Sequence, residues 1–212
     1  MYLFSRRVRP GPGNPEKQMD WALRITENVN KIAEAPVSLW LSVFSPNAGE
    51  FVWSSIFEDL VTIETTFEKL MGDKGYASLV EEGGTHMSGD AVDDGLLQFL
   101  YVDPKAAEIE SKYAGVVRTT AAPGGLVKGM ELGVETAQLA AKITGSATSF
   151  ASGVTGAYGL VEWITLYASI EEVQRSGNAL AADASFAQEV DNELSKVYLP
   201  GAAEQLLLRR IV

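Results

Sequence analysis

Residues 2–9 alternate loosely between apolar and polar positions and are rich in Tyr, Phe and Val, which predicts a strand. Pro10-Gly11-Pro12-Gly13 stops it. Asn14 can cap a helix, Pro15 suits its first position, and Glu16 complements the dipole of the first turn. Ala22, Ile25, Val29, Ile32 and Ala33 then fall on one apolar helix face, and the helix is expected to stop near Ala35-Pro36, because a residue before proline is steered out of the helical region. Residues 37–44 alternate with period two, Pro46–Gly49 reads as a turn, and Phe51–Phe57 as the returning strand of a hairpin. A second helix, interrupted near Gly72 to Gly75, is expected from about Leu60 to Glu82. A loop follows over 82–89, and a fourth strand over Leu96–Val102.

The same order returns. Tyr113–Thr120 reads as a strand, Gly125–Thr144 as a helix, Thr148–Val154 and Gly159–Tyr167 as a hairpin, Ile170–Val197 as helical and Gln205–Ile211 as the last strand. On one fixed offset Tyr2 meets Tyr113, Arg7 meets Arg118, Pro12-Gly13 meets Pro123-Gly124 and Lys31-Ile32 meets Lys142-Ile143. The offset shortens by two across the hairpin, which equates Trp53 with Glu162 and Glu58 with Tyr167. It recovers by one at the last strand, where Leu96-Leu97 meets Leu206-Leu207. Indels belong in turns, and a period of about half the chain signals a two-fold duplication rather than a solenoid. The predicted organisation is two repeats, 1–104 and 105–212, each ordered strand-helix-strand-strand-helix-strand, the ferredoxin-like unit.

The hairpin strands are apolar on both faces, with Phe51, Trp53 and Phe57 on one and Val52 and Ile56 on the other. Helices cover one face of a ferredoxin-like sheet, and large exposed apolar patches are rare, so the second copy is the expected cover for the other. Two such units packed sheet to sheet resemble the dimeric α/β-barrel superfamily. That superfamily includes the antibiotic-biosynthesis-monooxygenase, NIPSNAP and EthD types, aromatic polyketide cyclases and heme-degrading monooxygenases. The resemblance spans nearly the whole chain and rests on element order, the repeat, and strands such as LWLSVF and FVWSSIF. It implies an α+β fold, a fused dimeric α/β barrel, with a cavity between the sheets for an apolar or aromatic molecule.

Composition narrows the partners. Seventeen basic against 28 acidic residues give a net charge of −11, which disfavours nucleic acid and anionic membrane surfaces. Cys is absent, which removes disulfides and thiolate chemistry. No run approaches the roughly 18 apolar residues of a membrane span, and the N-terminal pattern is the reverse of a secretory signal. A cytoplasmic protein is expected.

His86 is the single histidine, so metal sites needing two histidines are excluded within one chain and no resident metal or cofactor is expected. Two readings of it stand: an exposed loop histidine, or a cofactor ligand. The resemblance to heme-degrading members implies the second, since those place a histidine on the second helix and a tryptophan on the third strand, roughly where His86 and Trp53 fall. Ser5 and Arg6 stand where that family has an asparagine. Arg7 and Arg118 are equivalent in the repeats, and either pair with acids at strand ends or hold a substrate carboxylate or enolate. Glu162 lies mid-strand among Leu160, Ile164 and Leu166; desolvation there would suit a general acid or base, unless an arginine pairs with it. Trp40, Trp53, Trp163, Tyr101 and Tyr167 are candidates for an aromatic ligand pocket, or for plain core. The acidic residues around Glu81-Glu82 and Asp90, Asp93 and Asp94 lack calcium-loop spacing and read as surface. The resulting expectation is a cofactor-independent monooxygenase, cyclase or isomerase acting on an aromatic or polyketide-like compound. The alternatives are a non-catalytic ligand-binding or assembly protein, and a heme-binding or heme-degrading one. Further pairing into a homodimer is open.

Overall fold

A computed structural model describes the backbone of residues 1–212 and all side chains except those at 89–91, so Asp90 falls outside the described side chains. The elements are β1 (Tyr2–Pro10), α1 (Pro15–Ile32), β2 (Ser38–Val43), β3 (Phe51–Phe57), α2 (Leu60–Gly72), α3 (Lys74–Gly83) and β4 (Met87–Tyr101). A short 3-10 turn leads to β5 (Tyr113–Thr120), α4 (Leu126–Thr144), β6 (Ala147–Gly153), β7 (Leu160–Tyr167), α5 (Ile170–Ala182), α6 (Ala184–Glu189), a π-helical turn, α7 (Ser195–Val197) and β8 (Glu204–Arg210). The expected α+β class and the doubled βαββαβ order are present. In the first half β3 pairs with β1 and β2, and in the second β5 pairs with β7 and β8 and β7 with β6, all antiparallel.

Local chemistry sets the helix boundaries. The Asn14 side chain accepts from the Glu16 and Lys17 amides, which satisfies two of the four orphan donors at the start of α1. Asp59 and Asp73 cap α2 and α3. The predicted break at Gly72–Gly75 is therefore a change of helix with its own N-cap. In the second half Ser169 and Asp183 do the same for α5 and α6. The fourth strand starts nine residues before its predicted position, at Met87. Its first part is rich in Gly and Asp, residues of low strand propensity, so the pairing context rather than propensity extends it.

The chain divides into two compact units, Met1–Leu96 with Arg210–Val212, and Leu97–Arg209. In the first, Val8, Trp21, Ala22, Leu39, Phe51 and Trp53 form the core between sheet and helices. In the second, Leu132, Ala137, Phe150, Val161, Trp163 and Tyr198 do so. Gly133 explains how α4 approaches its sheet: a Cβ there would stand 2.1 Å from the Phe150 ring. Among the described residues no helix is long and apolar enough to cross a membrane.

The ladders correct the hairpin offset by one residue. Tyr2 faces Phe57 and Arg7 faces Val52 in the β1–β3 pair. Tyr113 faces Tyr167 and Arg118 faces Glu162 in the β5–β7 pair. Trp53 therefore corresponds to Trp163, Phe57 to Tyr167, and Val52 to Glu162. A one-residue slip moves every side chain to the other face of a strand, so the two tryptophans share a role that the sequence offset divides.

Candidate functional site

A cavity of about 140 Å³ opens within the first unit, between its sheet and helices and not on the sheet-to-sheet side where the resemblance implies one, with room for roughly five water molecules. Period two on β1 turns Phe4, Arg6 and Val8 to the helix side, and on β3 it turns Trp53, Ser55 and Phe57 the same way. The 3-4 spacing of α1 brings Trp21, Ile25 and Val29 over them. Phe67 and Leu70 of α2 and Tyr76 and Val80 of α3 complete much of the wall.

The tryptophans are held rigidly. The Trp21 and Trp53 rings meet edge to face, with centroids 5.8 Å apart at 77°, a favoured aromatic geometry. The Trp53 indole N–H donates to Thr26 Oγ1 at 2.7 Å, and that hydroxyl donates to the Ala22 carbonyl at 2.6 Å. The Trp21 indole donates to the Leu79 carbonyl at 2.8 Å.

One corner of the cavity is polar. Arg6 donates from Nε and Nη2 to the two oxygens of Asp94, each at 2.8 Å, and from Nη1 to the Tyr76 hydroxyl at 3.3 Å. Its guanidinium lies 6.0 Å from the ring centres of Phe4 and of Phe67, within cation–π range. The hydrogen bond to Asp94 raises the guanidinium pKa further above its ordinary value, against the opposing effect of burial. Arg6 is therefore a permanent cation paired with an anion. Tyr76 is 8% exposed.

His86 is not part of the cavity wall. Its imidazole lies tilted against Trp21 at 5.9 Å, with Nε2 3.6 Å from Glu82, which also receives two hydrogen bonds from Arg24. At 18% side-chain exposure it is more enclosed than an exposed loop histidine. Its carbonyl receives the Gly11 amide and the Gln18 side chain, which ties the start of β4 to the start of α1. These surroundings do not fit a heme, whose iron needs an imidazole open to the cavity. Among the described residues no cluster of His, Cys, Asp or Glu is placed to hold a metal ion.

The remaining sequence candidates lie elsewhere. Trp40 faces Val52 across the ladder while Leu39 faces Trp53, so Trp40 occupies the sheet face opposite Trp53. Its indole donates to Ser54 Oγ at 2.9 Å, and Arg210 stacks on its ring at 5.6 Å. Arg7 falls on that same opposite face by alternation. In the second unit Arg118 sits between Glu162 on β7 and Glu204 on β8 in register. It donates from Nε to Glu204 at 2.6 Å, and Glu162 is 6% exposed. The structure thus brings Glu162 and Arg118 together, on the sheet face away from Trp163. Trp163 is packed on the helix side by Phe150 and Tyr198, and its indole donates to the Gly133 carbonyl at 2.8 Å. Tyr101 packs against that same core. Tyr167 lies over Gly115, and burial pushes its phenol pKa up.

Of the nine sequence candidates, Trp53 alone lines the cavity. Arg6, Tyr76, Trp21 and Phe67 escaped the sequence reading. The available signal was period two: Arg6 shares a strand face with Phe4 and Val8, a lone cation in an apolar row. The repeat drew attention to Arg7 instead because it has a matching arginine.

Neither a family model nor a curated protein sequence matches the chain. Solved structures do resemble it. A candidate monooxygenase from Fusobacterium nucleatum subsp. nucleatum has a TM-score of 0.73 at 7% identity, covering 100% of this chain and 92% of its own. An anthrone oxidase-like protein has 0.70 at 12% identity, covering 100% and 91%. A candidate monooxygenase from Lactobacillus acidophilus has 0.66 at 9% identity, covering 99% and 93%. Identities this low speak for fold and not for reaction. With its doubled βαββαβ order and these likenesses over its whole length, the chain has the dimeric α/β-barrel fold.

Proposed function

We propose that the first unit binds a small apolar or aromatic molecule and that the protein acts on it as a cofactor-independent monooxygenase, cyclase or isomerase. One observation carries this reading: an aromatic cavity with one polar corner, Arg6–Tyr76, in a mostly apolar wall whose Ser54, Ser55 and Thr66 hydroxyls are bonded to the protein itself. Apolar enclosure with a few placed polar groups is the usual character of a small-molecule site. The rings of Trp21, Trp53 and Phe67 would sandwich a flat substrate, and Arg6 with Tyr76 would hold its oxygen. Preformed donors there would stabilise negative charge developing on that oxygen more in the transition state than in the ground state. The aromatic or polyketide-like substrate class is favoured by the wall, and by a fold shared with an anthrone oxidase-like protein. Glu162, Arg118 and Arg7 do not border this cavity; on this reading they serve the opposite sheet faces.

The test is a thermal-shift panel of small aromatic ketones, since a ligand that binds only the folded form raises the melting midpoint. The Val80→Trp variant, which fills the cavity from its rim, is run beside it. A ketone-dependent rise that Val80→Trp abolishes is expected, with consumption of the bound ketone on incubation in air or under nitrogen. No rise for any ketone would sink the reading. A rise without turnover would leave the non-catalytic ligand-binding alternative.

A further inference from the structure

The polar atoms of the cavity wall can be accounted for one at a time. The indole donors of Trp21 and Trp53 are spent on Leu79 and Thr26. The Thr66 hydroxyl donates to the Thr62 carbonyl at 2.8 Å, and that of Ser55 to the Pro36 carbonyl at 3.0 Å. Ser54 Oγ takes the Trp40 indole. Arg6 and Tyr76 remain. A guanidinium has five N–H donors, and Arg6 directs two to Asp94 and one to Tyr76. The Tyr76 oxygen is an acceptor in that bond, and its own proton meets no acceptor among the described residues.

Two consequences follow from the Asp94 pairing. The Nε–Nη2 edge is the fork that grips a carboxylate with two parallel bonds, and Asp94 fills it at 2.8 Å on both arms. The charge of Arg6 is also balanced by the same carboxylate. The corner therefore offers the remaining Nη1 and Nη2 protons and the Tyr76 hydroxyl, with the charge of Arg6 already balanced. An incoming carboxylate would lose its hydration shell, gain no net positive partner, and sit near the charge of Asp94. A ketone or phenol oxygen needs only one or two donors and carries no charge to desolvate.

We propose that this cavity selects neutral apolar molecules bearing one ketone or phenol oxygen and rejects carboxylates of the same shape, with Asp94 as the residue that sets the preference. The proposal rests on the reading of the cavity as a ligand site and names the class of molecule it takes. Asp94 acts through Arg6; it is a specificity determinant rather than a group that touches the ligand.

The experiment is calorimetric titration of the full chain at pH 7.5 with three compounds of one shape: indane, 1-indanone and indane-1-carboxylate. Wild-type protein is expected to bind 1-indanone about fivefold more tightly than indane, the worth of one net hydrogen bond, and at least tenfold more tightly than the carboxylate. Tyr76→Phe keeps the ring and should narrow the preference for 1-indanone over indane while leaving indane unchanged. Asp94→Asn removes the charge that balances Arg6 and one of its two acceptors, and should raise affinity for indane-1-carboxylate about tenfold or more. The proposal is overturned if the carboxylate binds wild type as well as the ketone does. It is equally overturned if Asp94→Asn, folded by circular dichroism and melting, leaves carboxylate affinity where it was. Indane binding alone, with no preference for the ketone, would keep the cavity as a ligand site and remove this inference. Failure of all three compounds to bind would remove both.

Discussion

The hydroxyl of Thr26 joins Trp53 to helix α1. It accepts the indole N–H at 2.7 Å and passes its own proton to the Ala22 carbonyl at 2.6 Å. Thr26 and Trp53 are both buried, so the link fixes one wall of the cavity. Replacing Thr26 with Val keeps the shape and strands the indole donor. An unsatisfied buried donor costs about 1–3 kcal/mol, and urea unfolding should show a loss of that size. Affinity for 1-indanone should fall as well, because Trp53 loses its anchor. Unchanged stability would show that the indole finds another partner.

Two glycines on helices should respond in opposite directions to the same change. Gly133 faces Phe150 at a distance no Cβ can occupy, so Gly133→Ala overpacks the second unit and should cost about 1–3 kcal/mol. Gly177 lies within α5, and a methyl group added there would meet only open space, so Gly177→Ala should stabilise by about 0.5–1 kcal/mol. Equilibrium urea curves for the pair decide this. Equal effects would mean that α4 shifts to make room.

Strand β8 pairs with β5. Leu206 and Leu208 are buried, and the Val212 carbonyl accepts the Leu39 amide at 2.8 Å. Deleting Leu206–Val212 would expose the β5 edge and uncover apolar surface. The truncated chain should not fold. A soluble truncation with a cooperative melt would refute this.

Acid should destabilise the protein through particular carboxylates. Arg24 hydrogen-bonds Glu82 and holds its pKa below the ordinary 4.5; amide and hydroxyl donors at the starts of α2 and α6 likewise hold Asp59 and Asp183 below 3.8. A group whose folded pKa is depressed contributes stability above its unfolded pKa and loses it as pH falls through the folded value. The melting midpoint should therefore stay level from pH 7 to about 5 and decline below about 4.5. Arg24→Ala should make that decline shallower. An unaltered acid slope in Arg24→Ala would show that the Glu82 pairing contributes nothing measurable, as many exposed pairs do.

Most of the element order was legible in the sequence because it depends on neighbours along the chain. The Asn14–Pro15 start, β3 at Phe51–Phe57 and β5 at Tyr113–Thr120 follow from local caps, turn residues and period two, while α1 stops at Ile32, short of the Ala35-Pro36 that proline marks. Strand β4 was less legible, since Gly and Asp in its first part carry no strand signal and pairing decides it. The site was less legible again. Arg7 and Arg118 stand out through the repeat, yet the arginine on the cavity wall is Arg6.

By itself, then, the sequence determined the alternation of strands and helices, the doubling of the order, and a fold with aromatic cover on its sheets. These are matters of local propensity and of which side chains avoid water. Only the tertiary structure decided that Trp53 corresponds to Trp163 and not to Glu162, that Trp40 and Trp53 back onto opposite sheet faces, and that Asp94 reaches Arg6 beside Tyr76. Ladder register reverses faces with a slip of one residue, and a contact between positions as far apart as Arg6 and Asp94 depends on the packing of whole elements, which no local pattern encodes.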